Sequence, residues 1–368
     1  MKKLPFIIER DGRLNLTEQL IAGITRGIRS GYYAPGDQIP TILEMANALG
    51  VSTIVIRNAM KRLAAAGSIT ARPKTGIRIK GAATGPWKAH VLLLARARSV
   101  SFYFALRNRT FQDRLAKSQV RTSVVLVGDE EYRSGFAGIE SVAEMDPVDL
   151  TILEGPSWGV VSVLEQLKMP FIHAFAPKPS AKAVGIFVQE TEPGLRALVR
   201  HLAACGAERV LGVFVRDGDA GAQFEDAVCV AGMGCEILSA EAPTNLPNPE
   251  NVETAGLLAV QEYLKREPRL PDVIYFSDDY LGRGGLMALA SAGKRIPEDV
   301  QVVTCANRGN RVAFPKPLTR MEADPAEIGE TLAKLVLDAL DKPGGRKWAC
   351  IMSPRLVVGE TTVPKGIR

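Results

Sequence analysis

The chain has 368 residues, with 46 Lys or Arg against 40 Asp or Glu (net +6), 46% hydrophobic residues, five cysteines and three histidines. That length leaves room for two or three domains and the apolar fraction is globular, while no apolar run reaches the ~18 residues that a membrane helix needs. The opening MKKLPFIIERDGRLN holds two lysines but only a four-residue apolar patch broken by Pro5, so it does not read as a signal peptide. The cysteines (205, 229, 235, 305, 350) form no CxxC and the histidines (90, 173, 201) are widely spaced. The expectation is reduced core thiols in a cytoplasmic protein, with no metal site and no cofactor.

In chain order, Leu16 to Ser30 carries apolar residues at Leu16, Leu20, Ile21, Ile24 and Ile28, a helical stripe stopped by Gly31. Pro35-Gly36 marks a turn and Pro40 leads into the next helix. From Ile42 to Arg62, Ala46 is followed by Gly50 four residues on and by Ile56 six after that. This is the spacing of a helix-turn-helix. Ala46 lets two helices cross closely, Gly50 can turn the chain through the left-handed region, and Ser52 can cap the second helix. Val51, Val55 and Ile56 can pin that helix onto the first. Such a pair places its second helix in a DNA major groove, the alternative being an ordinary helical hairpin. Ile69–Ala71 and Ile77–Ile79 then alternate as two short strands around Pro73-Lys74-Thr75-Gly76, a wing whose tip can touch phosphates or a minor groove.

Charge divides the chain at this point. Residues 1–80 hold 13 basic and 5 acidic groups, a net +8, and the remaining 288 hold 33 and 35, a net −2. A phosphate-binding module attached to a near-neutral partner domain has that footprint. The expected division is a winged helix-turn-helix over residues 1–80, a linker of small residues and Pro86 over 81–88, and a large domain of two subdomains over 89–368.

Past His90, apolar runs alternate with amphipathic stretches. Strands are expected at Val91–Ala95, Ser123–Val127, Leu150–Leu153, Phe171–Ala174, Val184–Val188, Val210–Val215, Glu236–Leu238, Val273–Phe276 and Val300–Cys305. Helices are expected at Phe102–Lys117, Trp158–Leu167, Pro193–Cys205, Ala222–Ala231, Asn251–Lys265, Leu281–Ala292 and Pro325–Leu340. Strand-helix-strand units with near-continuous apolar strands imply an α/β fold of parallel sheets, with ligands bound beyond the carboxyl ends of the strands.

Gly31, Pro35-Gly36, Ile39-Pro40, Gly50-Val51-Ser52, Arg57, Leu63, Gly67, Ile69 and Gly76 together resemble the GntR family of bacterial transcription regulators over about residues 15–80. Two family arginines are replaced, by Leu43 and Thr53, and a wing glycine falls where Pro73-Lys74-Thr75 stands. Arginine reads guanine bidentately, so these losses imply an altered operator or weaker affinity, with Thr53 and Ile54 free to meet thymine methyls. The resemblance implies DNA contacts from Thr41, Ser52, Thr53, Ile54, Arg57, Lys61, Arg72, Lys74, Thr75, Gly76 and Arg78.

Residues 89–363 are similar to the LacI/GalR-type, periplasmic-binding-protein-like effector domain. Pro271–Tyr280, Gly293–Val300, Pro317-Leu318-Thr319 and Pro354–Val358 carry the likeness. That resemblance implies two subdomains around an effector cleft. It places effector contacts at Phe102 or Phe104, Glu190, Asp278, Asp279 and Asn307, and it lacks the family's arginine in Ala220–Asp226. Acidic groups without that arginine point to a sugar or polyol, or to a cationic ligand, and away from a phosphorylated sugar.

The head-plus-sensor order resembles arabinose-operon-type GntR regulators. It implies a homodimeric, non-enzymatic repressor that binds double-stranded operator DNA under control of a small, carbohydrate-like effector, with no membrane partner. The runners-up are a regulator whose pocket is vestigial, a GntR head fused to an aminotransferase-like enzyme, and a transport protein.

Overall fold

The computed structural model describes residues 4–8, 15–29, 32–72, 76–80, 87–96, 101–128, 139, 148–155, 158–167, 169–215, 220–241, 249–342 and 344–364. The chain divides into two compact units: residues 1–96, 112–187 and 333–348 in the first, and 97–111, 188–332 and 349–368 in the second.

The first unit opens with α1 (Leu16–Arg29), β1 (Gln38–Ile39), α2 (Ile42–Leu49), α3 (Thr53–Ala65), β2 (Ile69–Arg72) and β3 (Gly76–Ile79). Leu20, Ile24, Tyr33, Ile39, Met45, Ile56, Ala59, Leu63, Ile69 and Ile77 form one buried core, so three helices and the wing close on each other. Gly50 ends α2 at φ 65°, and Ser52 Oγ accepts from Val55 N at 3.4 Å to start α3. Sequence reasoning took Gln38-Ile39 as turn. In the structure they pair antiparallel with Arg78 and Ile77, which makes the wing a three-stranded sheet. Two residues carry too little pattern to show a strand; the partner strand supplies the hydrogen bonds that define it.

The first large sheet is built from β4 (Ala89–Arg96), β5 (Val120–Val127), β6 (Leu150–Glu154), β7 (Phe171–Ala174) and β8 (Gly185–Glu190), with α4 (Phe102–Lys117) and α5 (Trp158–Gln166) in the connections; α4 as far as Phe111 and β8 from Val188 are counted with the second unit. Strands β5, β4, β6, β7 and β8 pair in parallel in that order. Every residue of β6 and β7 is buried, as expected of central strands covered on both faces. Of the proposed linker, residues 81–86 lie outside the described residues, and Lys88 N already donates to Gln119 O at 2.6 Å, at the base of the sheet.

The second unit contains α6 (Glu192–Ala204), β9 (Arg209–Val215), α7 (Ala220–Val230), β10 (Gly234–Ala240), α8 (Pro249–Arg266), β11 (Val273–Phe276), α9 (Asp279–Ser291), β12 (Gln301–Asn307), β13 (Thr319–Ala323) and β15 (Arg355–Val357). Helix α10 (Pro325–Asp341) and strand β14 (Lys347–Met352) complete the chain, β14 lying beside β8 at the edge of the first large sheet. The second sheet runs β10-β9-β11-β12-β13-β15, parallel throughout except for antiparallel β15. The expected helices and strands are present to within a few residues at their ends. Strands β13 and β14 were not expected, because Thr319–Ala323 and Lys347–Met352 mix charged, polar and small residues. Their pairing comes from neighbours and not from local composition.

One expectation is corrected. Cys205 is buried, but Cys229 and Cys350 are exposed, so the cysteines are not a set of core thiols. Cys229 falls on the outer face of α7 and Cys350 at an outward position of β14. Among the described residues, no helix is long and apolar enough to cross a membrane.

Candidate functional site

Two surfaces gather the expected functional residues. On the N-terminal module, Ile56, Ala59, Met60 and Leu63 of α3 face the core, so the opposite face is left to solvent. That face presents Ile54 (65% exposed), Arg57 and Lys61, the last two one turn apart. Among the described residues neither Arg57 nor Lys61 has an ion-pair partner. Thr53 is half-buried at the start of the helix.

Thr41 and Ser52 are helix caps. Thr41 forms a capping box in which Glu44 N donates to its Oγ1 at 3.3 Å and its own N–H donates to Glu44 Oε2 at 2.8 Å. Leu43, at a position where a family arginine is replaced, is 63% exposed and apolar. Arg78 lies on β3, where Nη1 donates to Gly36 O at 2.9 Å. Gly76 holds φ +76° and a Cβ there would come within 2.6 Å of Gln38, so this position requires glycine. Arg72 ends β2 opposite Gly76; Lys74 and Thr75 lie outside the described residues. Sequence reasoning missed Asn58 and Arg62. With Lys61, Val55 and the start of α1 (Asn15–Thr17), they border a groove of about 750 Å³ between α1 and α3. Their i, i+4 spacing on the flank of α3 was the available signal.

In the second unit, β11, β12 and β13 end side by side and open on a cavity of about 270 Å³. Its wall includes Phe104, Asp278, Asp279 and Asn307 from the expected set, joined by Ser101, Tyr103, Ser277, Cys305, Met321 and Pro354. Phe102 stands outside that wall, with its backbone N–H donating to Tyr280 Oη at 3.5 Å and its ring against Gly309. Glu190 is also outside it, exposed at the end of β8, with its carboxylate beside the Cys350 thiol. Tyr103 was missed although it adjoins Phe104. Only the fold shows that both rings reach the cavity.

The apolar run Val273–Phe276 delivers two adjacent acids to its carboxyl end. Asp278 caps α9, its Oδ1 accepting from Tyr280 N at 2.8 Å and Leu281 N at 3.3 Å. Burial, and then the neighbouring Asp279, push the Asp278 carboxyl up from 3.8 to about 6, against the pull of the cap bonds and Arg283. Asp279 is 3% exposed. Burial raises its pKa too, opposed by Arg283 and by bonds from Asn307 and Asn310, the latter at 3.0 Å. Cys305 is pushed up to about 12 by burial, so the thiol facing the cavity stays protonated near neutral pH. Among the described residues no Lys or Arg lies in the cavity wall, and α7 contains no arginine. The arrangement suits recognition of a small polar molecule: two rings give an apolar platform, and carboxylates and an amide fix hydroxyl or amine groups.

Comparison with known proteins places both regions. Residues 16–79 match the gntR family of bacterial regulatory proteins, and residues 199–362 match the periplasmic binding protein-like domain. The HTH-type transcriptional regulator YvdE of Bacillus subtilis is 34% identical over 90 residues, which are 24% of this chain and 28% of that protein. The HTH-type transcriptional repressor PurR of Salmonella paratyphi B is 29% identical over 122 residues, 32% of this chain and 36% of that protein. The chain therefore spans about a third of the length of these curated relatives.

Among solved structures, a LacI family regulator from Arthrobacter sp. FB24 in complex with lactose superposes with a TM-score of 0.58 at 20% identity. It covers 75% of this chain and 100% of that one. A LacI family regulator from Enterococcus faecium with bound ribose gives 0.59 at 18%, covering 75% and 99%. The transcriptional regulator CelR–cellobiose complex gives 0.58 at 18%, covering 88% and 100%. At these identities the likeness is one of fold.

Proposed function

From a chain that joins a GntR-type helix-turn-helix to a LacI-type, periplasmic-binding-protein-like domain, we propose a ligand-controlled repressor of transcription that binds operator DNA as a homodimer. The observation that carries this reading is the pairing, on one chain, of an α3 face that exposes Arg57 and Lys61 and a carboxylate-lined cavity at the ends of β11–β13. The α3 face enters the major groove, where Arg57 and Ile54 meet base edges and Lys61 a phosphate. The wing, with Arg72, Lys74, Thr75, Gly76 and Arg78, lies along the backbone, while Thr41 and Ser52 set the helix ends that approach it.

The ligand is a small sugar or polyol held by Asp279, Asp278, Asn307 and Phe104, with Phe102 and Glu190 as flanking positions. The lactose, ribose and cellobiose held by the structural neighbours support that class. Two helix-turn-helix heads reading paired half-sites favour a dimer. The ligand acts by its differential affinity for conformations with different operator affinity.

Fluorescence anisotropy of the full chain with promoter fragments from its own genome, at low salt and with and without monosaccharides, tests the reading. Saturable binding, weakened by salt and altered by one sugar, is expected. No retention of any fragment at low ionic strength would end it. Thermal-shift screening adds an independent measure, since a ligand at 100 times its Kd adds about 2.7 kcal/mol.

A further inference from the structure

The cavity's polar wall sets two adjacent carboxylates beside the hydroxyls of Ser101, Tyr103 and Ser277 and the Asn307 amide. Asn310 Nδ2, from the adjoining turn, donates to Asp279 Oδ2 at 3.0 Å, and the Asn307 amide nearby also favours the charged form of that acid. Tyr103 Oη donates to Gln189 Oε1 at 3.4 Å. Among the described residues, the acids lining the cavity are two adjacent carboxyls, Asp278 and Asp279.

The cations nearby are each engaged elsewhere. Arg283 of α9 acts on both acids, but its Nη2 donates to Asn310 Oδ1 at 2.9 Å and its guanidinium lies 5.3 Å from the Tyr280 ring centroid. Arg107 of α4 sits against the Phe104 and Tyr103 rings, 5.0 and 5.7 Å from their centroids. Arg308 and Arg320 are paired with Glu322 and Asp324. Tyr275 and Cys305, below the acids, are held protonated by burial.

Two like charges thus share a partly dehydrated wall with one distracted cation between them. A neutral hydroxyl can donate its one hydrogen to a carboxylate, but its lone pairs gain nothing there and it leaves the repulsion between the acids in place. An ammonium group offers hydrogens alone, and its charge offsets the repulsion between the acids.

Resting on the reading of this cavity as the ligand site, we propose that its ligand carries a protonated amine on a polyhydroxylated frame, an amino sugar or amino polyol. The ammonium seats against Asp278 and Asp279, and the ring stacks on Phe104 and Tyr103. Binding then draws Asp278 into its charged form, so affinity for the amine rises as that proton leaves. The ammonium of a 2-amino sugar, acidified by its neighbouring oxygens to near the α-amino range of about 7.7–8.0, keeps most of its proton up to about pH 7.

The test is thermal shift and calorimetric titration of the full chain with matched sets. Each set contains a hexose or pentose, its 2-amino counterpart and the N-acetylated form of that amine, measured near pH 5 and near pH 7. The free amine is expected near pH 7 to bind about tenfold more tightly than either neutral relative, and about tenfold more weakly near pH 5 than near pH 7. Asp278→Asn, which keeps a good helix cap, is expected to remove most of both differences. If a parent or N-acetylated sugar binds as tightly as its amine, the ammonium assignment is overturned and the ligand-site reading stands. If no member of any set binds, both fall.

Discussion

Asp278 holds two roles at once. Its Oδ1 takes the two free N–H groups at the start of α9, which favours the charged form, while burial and Asp279 disfavour it. Disfavour wins, and the pKa rises from 3.8 to about 6. The folded state therefore binds this proton more tightly than the unfolded chain. The stabilisation is present below about pH 4 and is lost as pH rises through about 6. Urea midpoints measured from about pH 4 to pH 7.5 should show this decline, and Asp278→Asn should flatten it. An unchanged slope would remove the acid pair from the account. On the α3 face, Arg57→Ala should cost about 1–3 kcal/mol of operator affinity and relax specificity at one base. Lys61→Ala should lower the salt slope by about one while weakening all sequences alike. Anisotropy titrations across salt separate the two; a salt-slope change without loss of discrimination for Arg57→Ala would reassign it to a phosphate.

Elements owe their limits to short signals and their positions to packing. The small Ala46, the left-handed Gly50 and the cap at Ser52 are three residue-type signals within a few positions, and the helix-turn-helix could be read from them directly, whereas the cap at Thr41 emerged only in the structure. Thr41→Ala should lower stability by about 1 kcal/mol in denaturant titration through loss of its box with Glu44. Helices α8 and α9 show the opposite case. A Cβ on Gly284 would lie 1.9 Å from Glu253 O, and one on Gly256 would lie 2.4 Å from Leu281 O. Gly284→Ala should therefore force the helices apart and cost about 1–3 kcal/mol or more. A denaturation midpoint equal to that of the parent would disprove the close crossing. In sequence neither glycine signals the crossing, because the neighbour that forbids a side chain lies far along the chain, Glu253 for Gly284 and Leu281 for Gly256.

For the whole molecule, the N-terminal module is tied to the first large sheet by charge as well as by chain. Arg26 Nε of α1 meets Asp149 Oδ1 at 2.8 Å, while Asp149 Oδ2 accepts from His90 N at 2.8 Å and Asp149 N donates to His90 O. Asp149 thus connects α1 to the first residues of β4. Arg26 is 54% exposed, so the pair contributes modestly, with a coupling of about 0.2–1 kcal/mol. A double-mutant cycle with Arg26→Ala and Asp149→Asn, read by thermal unfolding at low and high salt, should show that coupling fade with salt. Additive effects at both would mean that the contact carries no energy.

Taken alone, the sequence determined the winged helix-turn-helix, the uneven charge and the alternation of strands and helices. Each of these is written in residue types a few positions apart: caps, turn glycines and apolar periods. The cavity could not be read that way. Its wall takes side chains from positions as far apart as 101 and 354. Asp278, Asp279, Phe104 and Asn307 become neighbours there, while Phe102 and Glu190 fall outside it. Strand pairing decides which strand ends lie side by side, and burial beside a second carboxylate decides how each acid holds its proton. Both are set by contacts between distant segments, so only the tertiary structure could supply them.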